Sequence, residues 1–80
     1  DEVHLTKVEW TIVDELVRNA GRLVTRKRLL ERLWGPGGGT DTNVLRVHLT
    51  HIRKKLEPVP SQPKYFLTEA GMGYRFRDEG

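Results

Sequence analysis

Between Thr42 and Leu56 the sequence TNVLRVHLTHIRKKL brings amide, guanidinium, hydroxyl, imidazole and ammonium groups onto a run of helical periodicity. Leu45, Leu49, Ile52 and Leu56 recur at intervals of four, three and four, the spacing of one apolar stripe. At about 100° per residue the opposite arc carries Asn43, Val47, Thr50, His51 and Lys54, flanked by Arg46 and Arg53. Donors and cations with few acids among them are suited to a polyanion, and an amphipathic helix fits a major groove about 12 Å wide. Arg46 suits a bidentate contact with guanine O6 and N7, and Val47 can meet a thymine methyl. Thr50, His51 and Asn43 can reach base edges or phosphates. Arg53, Lys54 and the Arg26-Lys27-Arg28 cluster suit the backbone.

Other chemistries are poorly provided for. The chain has no cysteine, and its one serine, Ser61, lies in a proline-rich stretch. No His–acid pair shares an obvious face. Asp14 and Glu15 are adjacent on a helix and diverge by about 100°, so they cannot work as a carboxylate pair. His48 and His51, three residues apart, could reach one ion. No third ligand stands at a matching position, and Arg46, Arg53 and Lys54 repel a cation. The run Gly35-Pro36-Gly37-Gly38-Gly39 lacks the Gly-Lys-Ser/Thr of a phosphate loop. We expect no enzyme, no metal and no cofactor.

Charge segregation agrees with a polyanion partner. Between Arg18 and Lys55 lie ten Lys/Arg against two acids, Glu31 and Asp41, whereas outside it four bases face nine acids. Eighty residues make one small domain around a modest core. No apolar run approaches the ~20 residues of a membrane span. Absence of cysteine fits a reducing compartment. The start at Asp1, without Met, leads us to expect a fragment of a longer protein.

The elements that must position these groups can be read in order. Val3-His4-Leu5 alternates weakly, as the end of a strand would. Thr6-Lys7-Val8-Glu9 has capping-box spacing, with Leu5 and Trp10 placed as a hydrophobic staple. Val8, Ile12, Val13, Leu16 and Ala20 continue a first helix of about Lys7–Asn19, stopped by Gly21. Thr25 caps a second helix, with Leu29, Leu30, Leu33 and Trp34 as its stripe and Gly35-Pro36 as its end. Trp34 reads first as a core aromatic and second as an indole N–H donor to phosphate. Thr40 or Asp41 caps the third helix, and Pro58 ends it. Tyr65–Thr68 and Tyr74–Arg77 read as two strands of a hairpin, with positive-φ freedom at Gly71 and Gly73.

With helix, helix, basic helix and hairpin in place, the sequence resembles the winged-helix effector domain of OmpR/PhoB-type response regulators. The matching stretches are Leu5–Trp10, Val24–Leu30, Leu33-Trp34-Gly35, Val47–Leu56 and Gly71–Phe76, in that family's order. Trp34-Gly35-Pro36, Leu45-Arg46-Val47 and Thr68–Phe76 are most similar to its potassium-responsive members. The resemblance implies an α+β winged helix-turn-helix spanning residues 1–80, three helices followed by a C-terminal hairpin wing, with the family's N-terminal sheet largely missing. A fragment lacking that sheet is expected to unfold at a lower temperature than an N-terminally extended version.

Functionally, the resemblance implies a sequence-specific double-stranded DNA-binding domain of a two-component regulator, here of potassium-transport genes. The helix at 42–56 would enter the major groove and the wing at 65–77 would touch the backbone. Asn43, Val47, Thr50 and His51 match recognition-helix positions; Arg26, Trp34 and Arg53 match backbone-contact or support positions; Thr68 matches a wing-base contact. The family also implies an absent receiver domain served by a sensor kinase, homodimers on direct repeats, RNA polymerase as a possible partner, and cytoplasmic residence with nucleoid association on binding. Two departures bear on this. Ala70 stands where many members carry arginine before the wing's glycines, and the Gly37-Gly38-Gly39 loop lacks an aromatic anchor for polymerase. The alternative is a winged-helix module that docks RNA polymerase or a partner domain, which requires an apolar exposed arc on the third helix.

Overall fold

The computed structural model of the chain describes residues 3–37 and 42–77. In chain order these form α1 (Lys7–Arg18), β1 (Leu23–Thr25), α2 (Arg26–Trp34), α3 (Thr42–Leu56), β2 (Phe66–Glu69) and β3 (Gly73–Phe76). The expected α+β winged helix-turn-helix is therefore present.

Capping residues set the helix starts. Thr6 accepts from Glu9 N–H and the Glu9 carboxylate accepts from Thr6 N–H, which closes the capping box read from the sequence. Thr25 accepts from Arg28 N–H at the start of α2. The Thr40 or Asp41 cap of α3 lies outside the described residues. The three helices meet through Ile12, Leu16, Leu29, Leu45, Leu49 and Ile52, all fully buried. Each contributes about 1.5–3 kcal/mol by leaving water.

The sheet departs from the sequence reading in two ways. Residues 3–6 form no strand. A third strand exists instead at Leu23–Thr25, giving the antiparallel order β1-β3-β2. Three residues are too few to display the period-two alternation that marks a strand. Val24 nonetheless pairs with Tyr74 and is buried, so β1 holds the wing against the helices. The hairpin strands lie within a residue of their expected bounds, and Arg77 N–H to Tyr65 O adds a rung beyond them.

The two wing glycines do different jobs. Gly71 adopts φ +74 at the third position of a turn closed by Met72 N–H to Glu69 O, as a type II turn requires. Gly73 has no positive φ, contrary to the sequence expectation. It is needed for proximity: a Cβ there would collide with the Val24 carbonyl oxygen and stand 2.9 Å from Thr25 Cα. A side chain at 73 would therefore pry β1 from β3.

Trp10 and Trp34 also differ from expectation. Leu5 packs on the core edge, but Trp10 is 58% exposed and does not complete a buried staple. Trp34 is 48% exposed, so it is not a core aromatic; Leu29 and Leu30 fill α2's inner face, with Leu33 packed beside them.

Candidate nucleic-acid interface

The core stripe of α3 faces inward, which turns Asn43, Arg46, Val47, Thr50 and Lys54 outward. The hairpin rises beside the arginine-bearing flank of this arc. Between them lies an open groove of about 400 Å³ lined by Arg26, Arg46, Thr50, Arg53 and Thr68, with the turn backbone at Gly71. Five of the ten residues singled out in the sequence thus converge from three elements.

They do not have equivalent freedom. Arg53 donates from Nε and Nη2 to Phe66 O at 2.9 and 2.7 Å, and from Nη2 to Thr68 Oγ1 at 2.7 Å. Its guanidinium bolts α3 to β2 as a carbonyl clamp. Burial pulls the Arg53 pKa below the ordinary arginine value, against the opposing pull of Tyr74 and Glu57. Arg26 donates from Nη2 to Gly71 O at 3.1 Å and so ties the start of α2 to the wing turn. The Thr50 hydroxyl donates to Arg46 O at 2.9 Å, a common habit of helical threonine. Arg46 and Lys54 hold no ion pair among the described residues. Val47 is 47% exposed in the middle of the arc.

His51 sits on the other flank. Its Nδ1 lies 3.8 Å from Glu9 Oε2 on α1, so a His–acid pair exists that the sequence did not reveal. Lys55, one turn along, donates to Glu9 Oε1 at 2.6 Å. Burial pushes the Glu9 carboxyl up, but hydrogen bonds from Lys55 and Thr6 and the charges of Lys55 and His51 outweigh it and leave it below the ordinary range. The third ligand judged missing for a metal is therefore within reach: ligand atoms of Glu9, His48 and His51 lie within 4.8 Å of one another.

The basic cluster of α2 has a different fate. Arg28 and Arg32 both donate to the buried Glu15 carboxylate, at 2.5 and 2.6 Å. Arg32 also donates to Asp14 at 2.8 Å, where Arg18 joins at 2.9 Å. Burial raises the Glu15 pKa, yet the two guanidiniums hold it below the usual carboxylate range. The Asp14 carboxyl is lowered by hydrogen bonds from Arg32 and Arg18. Arg28, expected on the nucleic-acid backbone, is thus committed to α1, while Lys27 stays exposed.

Sequence reasoning missed one further residue that shapes the groove. Glu57 is buried just past α3, and its two oxygens accept from the N–H groups of Lys64, Tyr65 and Phe66 at 2.7–2.9 Å. It fixes where the proline-rich connector ends and the wing begins. The available signal was an acid closing a run of three bases and a leucine, Arg53-Lys54-Lys55-Leu56-Glu57.

An open cationic arc on a helix, with a hairpin locked beside it, is matched by known proteins. A family model described as "Transcriptional regulatory protein, C terminal" covers residues 1–76. The chain belongs to this family of OmpR/PhoB-type effector domains. It is 56% identical over 75 residues to the transcriptional regulatory protein KdpE of Mycobacterium tuberculosis, a match covering 94% of this chain and 33% of that protein. The chain thus spans about a third of the length of the curated relatives it matches. Among solved structures, the Thermotoga maritima response regulator DrrB, an OmpR/PhoB homologue, superposes with a TM-score of 0.83 at 39% identity, over 94% of this chain and 34% of that one. The Klebsiella pneumoniae RstA DNA-binding domain, solved with the RstA box, gives 0.79 at 28% identity, over 94% and 74%. Membership in this effector family, a transcription-factor domain family, points away from an enzyme. No helix among the described residues is long and apolar enough to cross a membrane.

Proposed function

We propose that this effector domain reads double-stranded promoter DNA in a sequence-specific way, with α3 in the major groove and the wing on the adjoining backbone. The observation that carries the reading is the solvent-exposed arc Asn43–Arg46–Val47–Thr50–Lys54 beside a groove whose far wall is pinned by Arg53 and Arg26. A wall pinned in this way fixes the angle at which the helix enters, and Arg46, without an ion pair among the described residues, supplies a fork matched to guanine. Asn43, Val47 and Thr50 complete the base-facing set. Lys54, Arg26 and the exposed Trp34 indole serve the phosphates, His51 stands at the arc's edge, and Arg53 and Thr68 hold the wing base. With Ala70 at its corner the wing acts as a backbone clamp. The opposing reading, a protein-docking module, wants an apolar arc, and Val47 is the one apolar member here.

Similarity to KdpE supports promoters of potassium-transport genes as targets. The longer regulator would then place a receiver domain before this effector, take phosphate from a sensor kinase, dimerise on direct repeats, and engage RNA polymerase. Gel shifts of the chain against such promoter fragments, with salt varied, test the core of this. If about five phosphates are neutralised, log K falls with log salt at a slope of roughly −4 to −5. Equal affinity for promoter and scrambled DNA at every salt concentration would overturn it.

A further inference from the structure

The flank of α3 turned toward α1 holds a constellation of which the DNA-reading arc takes in His51 alone, at its edge. Glu9 is 2% exposed, and its two oxygens are unequally occupied. Oε1 accepts from Thr6 N–H at 3.0 Å and from Lys55 Nζ at 2.6 Å. Oε2 faces His51 Nδ1 at 3.8 Å, beyond hydrogen-bond reach. Nearby His48 buries its Nδ1 with no hydrogen-bond partner among the described residues. A buried polar atom left without a partner is costly and calls for an explanation.

We propose that Glu9, His48 and His51 form a binding site for a divalent transition-metal ion of the zinc class, tying α1 to α3. Two imidazoles and one carboxylate are a ligand set zinc accepts, with a fourth position left for water. Zinc bonds of ~2.0–2.1 Å set tetrahedral ligand atoms ~3.4 Å apart. The three ligand atoms already lie within 4.8 Å of one another. Rotation of the exposed His51 ring supplies most of the remaining approach. Binding through His48 Nδ1 would also give that atom its missing partner.

The charges around the cluster permit this. The Arg53 guanidinium is turned to Phe66 O, and Arg46 lines the groove on the opposite flank. Lys55 is the near cation. It holds Oε1 and so leaves Oε2 as the oxygen presented to the ion, and its repulsion weakens binding. Lys55 Nζ and Thr6 N–H already donate to the Glu9 carboxylate, which orients it toward the histidines.

The test is a calorimetric titration of the 80-residue chain with zinc chloride, with circular dichroism to confirm folding of each variant. One ion per chain is expected. His51→Gln, at an exposed position, should weaken binding by at least ~10-fold, the low end of what loss of even a ligand's supporting group costs. His48→Gln should do the same, and His4→Gln should change nothing. Tetrahedral cobalt(II) absorption should appear in the wild type and vanish in His51→Gln. Absence of stoichiometric binding, equal affinity of wild type and folded His51→Gln, or a loss that follows His4→Gln would each overturn the site.

Discussion

The chain carries two basic helices, α2 and α3, and the fold treats them in opposite ways. On α2, Arg28 and Arg32 are drawn into a network with Asp14 and Glu15 of α1. On α3, Arg46 and Lys54 hold no ion pair among the described residues, while Lys55 is matched by Glu9 of α1, which His51 also faces. Similar composition therefore yields structural cement in one helix and a polyanion-facing field in the other. Counting charges along a chain overstates the field wherever a distant acid folds back onto it.

Stranding Glu15 should have the largest effect. Arg28→Ala with Arg32→Ala leaves a buried carboxylate unpaired, and should destabilise the domain by about 3 kcal/mol, the low end for breaking a buried pair. Chemical denaturation measures this; if the double variant is as stable as the wild type, α2 is not cement. Acid gives an independent reading of the same network. Glu9 and Glu15 have folded-state pKa values below the reference 4.5. The folded state thus binds fewer protons, so their stabilisation is complete above that reference and is lost as pH falls through the lowered values. Melting temperature should stay level from neutrality to about pH 5 and drop below it, with a shallower drop in Glu15→Gln.

Arg53→Ala probes the exception within α3, a base that is structural. It removes the clamp on Phe66 O and should cost about 2 kcal/mol, within the range for an orphaned buried acceptor. Unfolding at the wild-type denaturant midpoint would show the clamp to be idle. Arg46→Ala should leave stability unchanged and lower discrimination between operator and scrambled DNA by about 1.5 kcal/mol, roughly tenfold. A stability loss without a change in discrimination would move Arg46 into the α2 class. Smallest is Lys54→Ala, expected to weaken all sequences alike and to make the salt slope shallower by about one. Sequence-dependent loss would instead make Lys54 a base reader.

Much of this was legible before folding. Local signals did well wherever their physics is local: the Thr6–Glu9 capping box, the Thr25 cap, the stripe of α3 and the Gly71 turn all lie within a few residues of chain. What failed depended on distant partners. β1 was invisible because three residues gain strand character only by pairing with Gly73–Arg75. Trp34 looked like core because its spacing fits the stripe, yet smaller leucines fill the space. The role of Gly73 lay in the nearness of Val24 and Thr25, far from it in sequence. The candidate site divided in the same manner: the outward arc followed from helical period, whereas Arg26 and Arg53 revealed their roles only against the wing.

By itself, then, the sequence determined the helices, the hairpin and which side chains α3 turns outward, because periodicity and capping act over one or two turns. Tertiary structure alone decided which cations stay open. A charge is cancelled by whichever acid packs against it, and Glu9, Asp14 and Glu15 reach the cations of α2 and α3 only when α1 lies across those helices. The same packing brought Glu9 beside His48 and His51, a cluster that no spacing along one helix could announce.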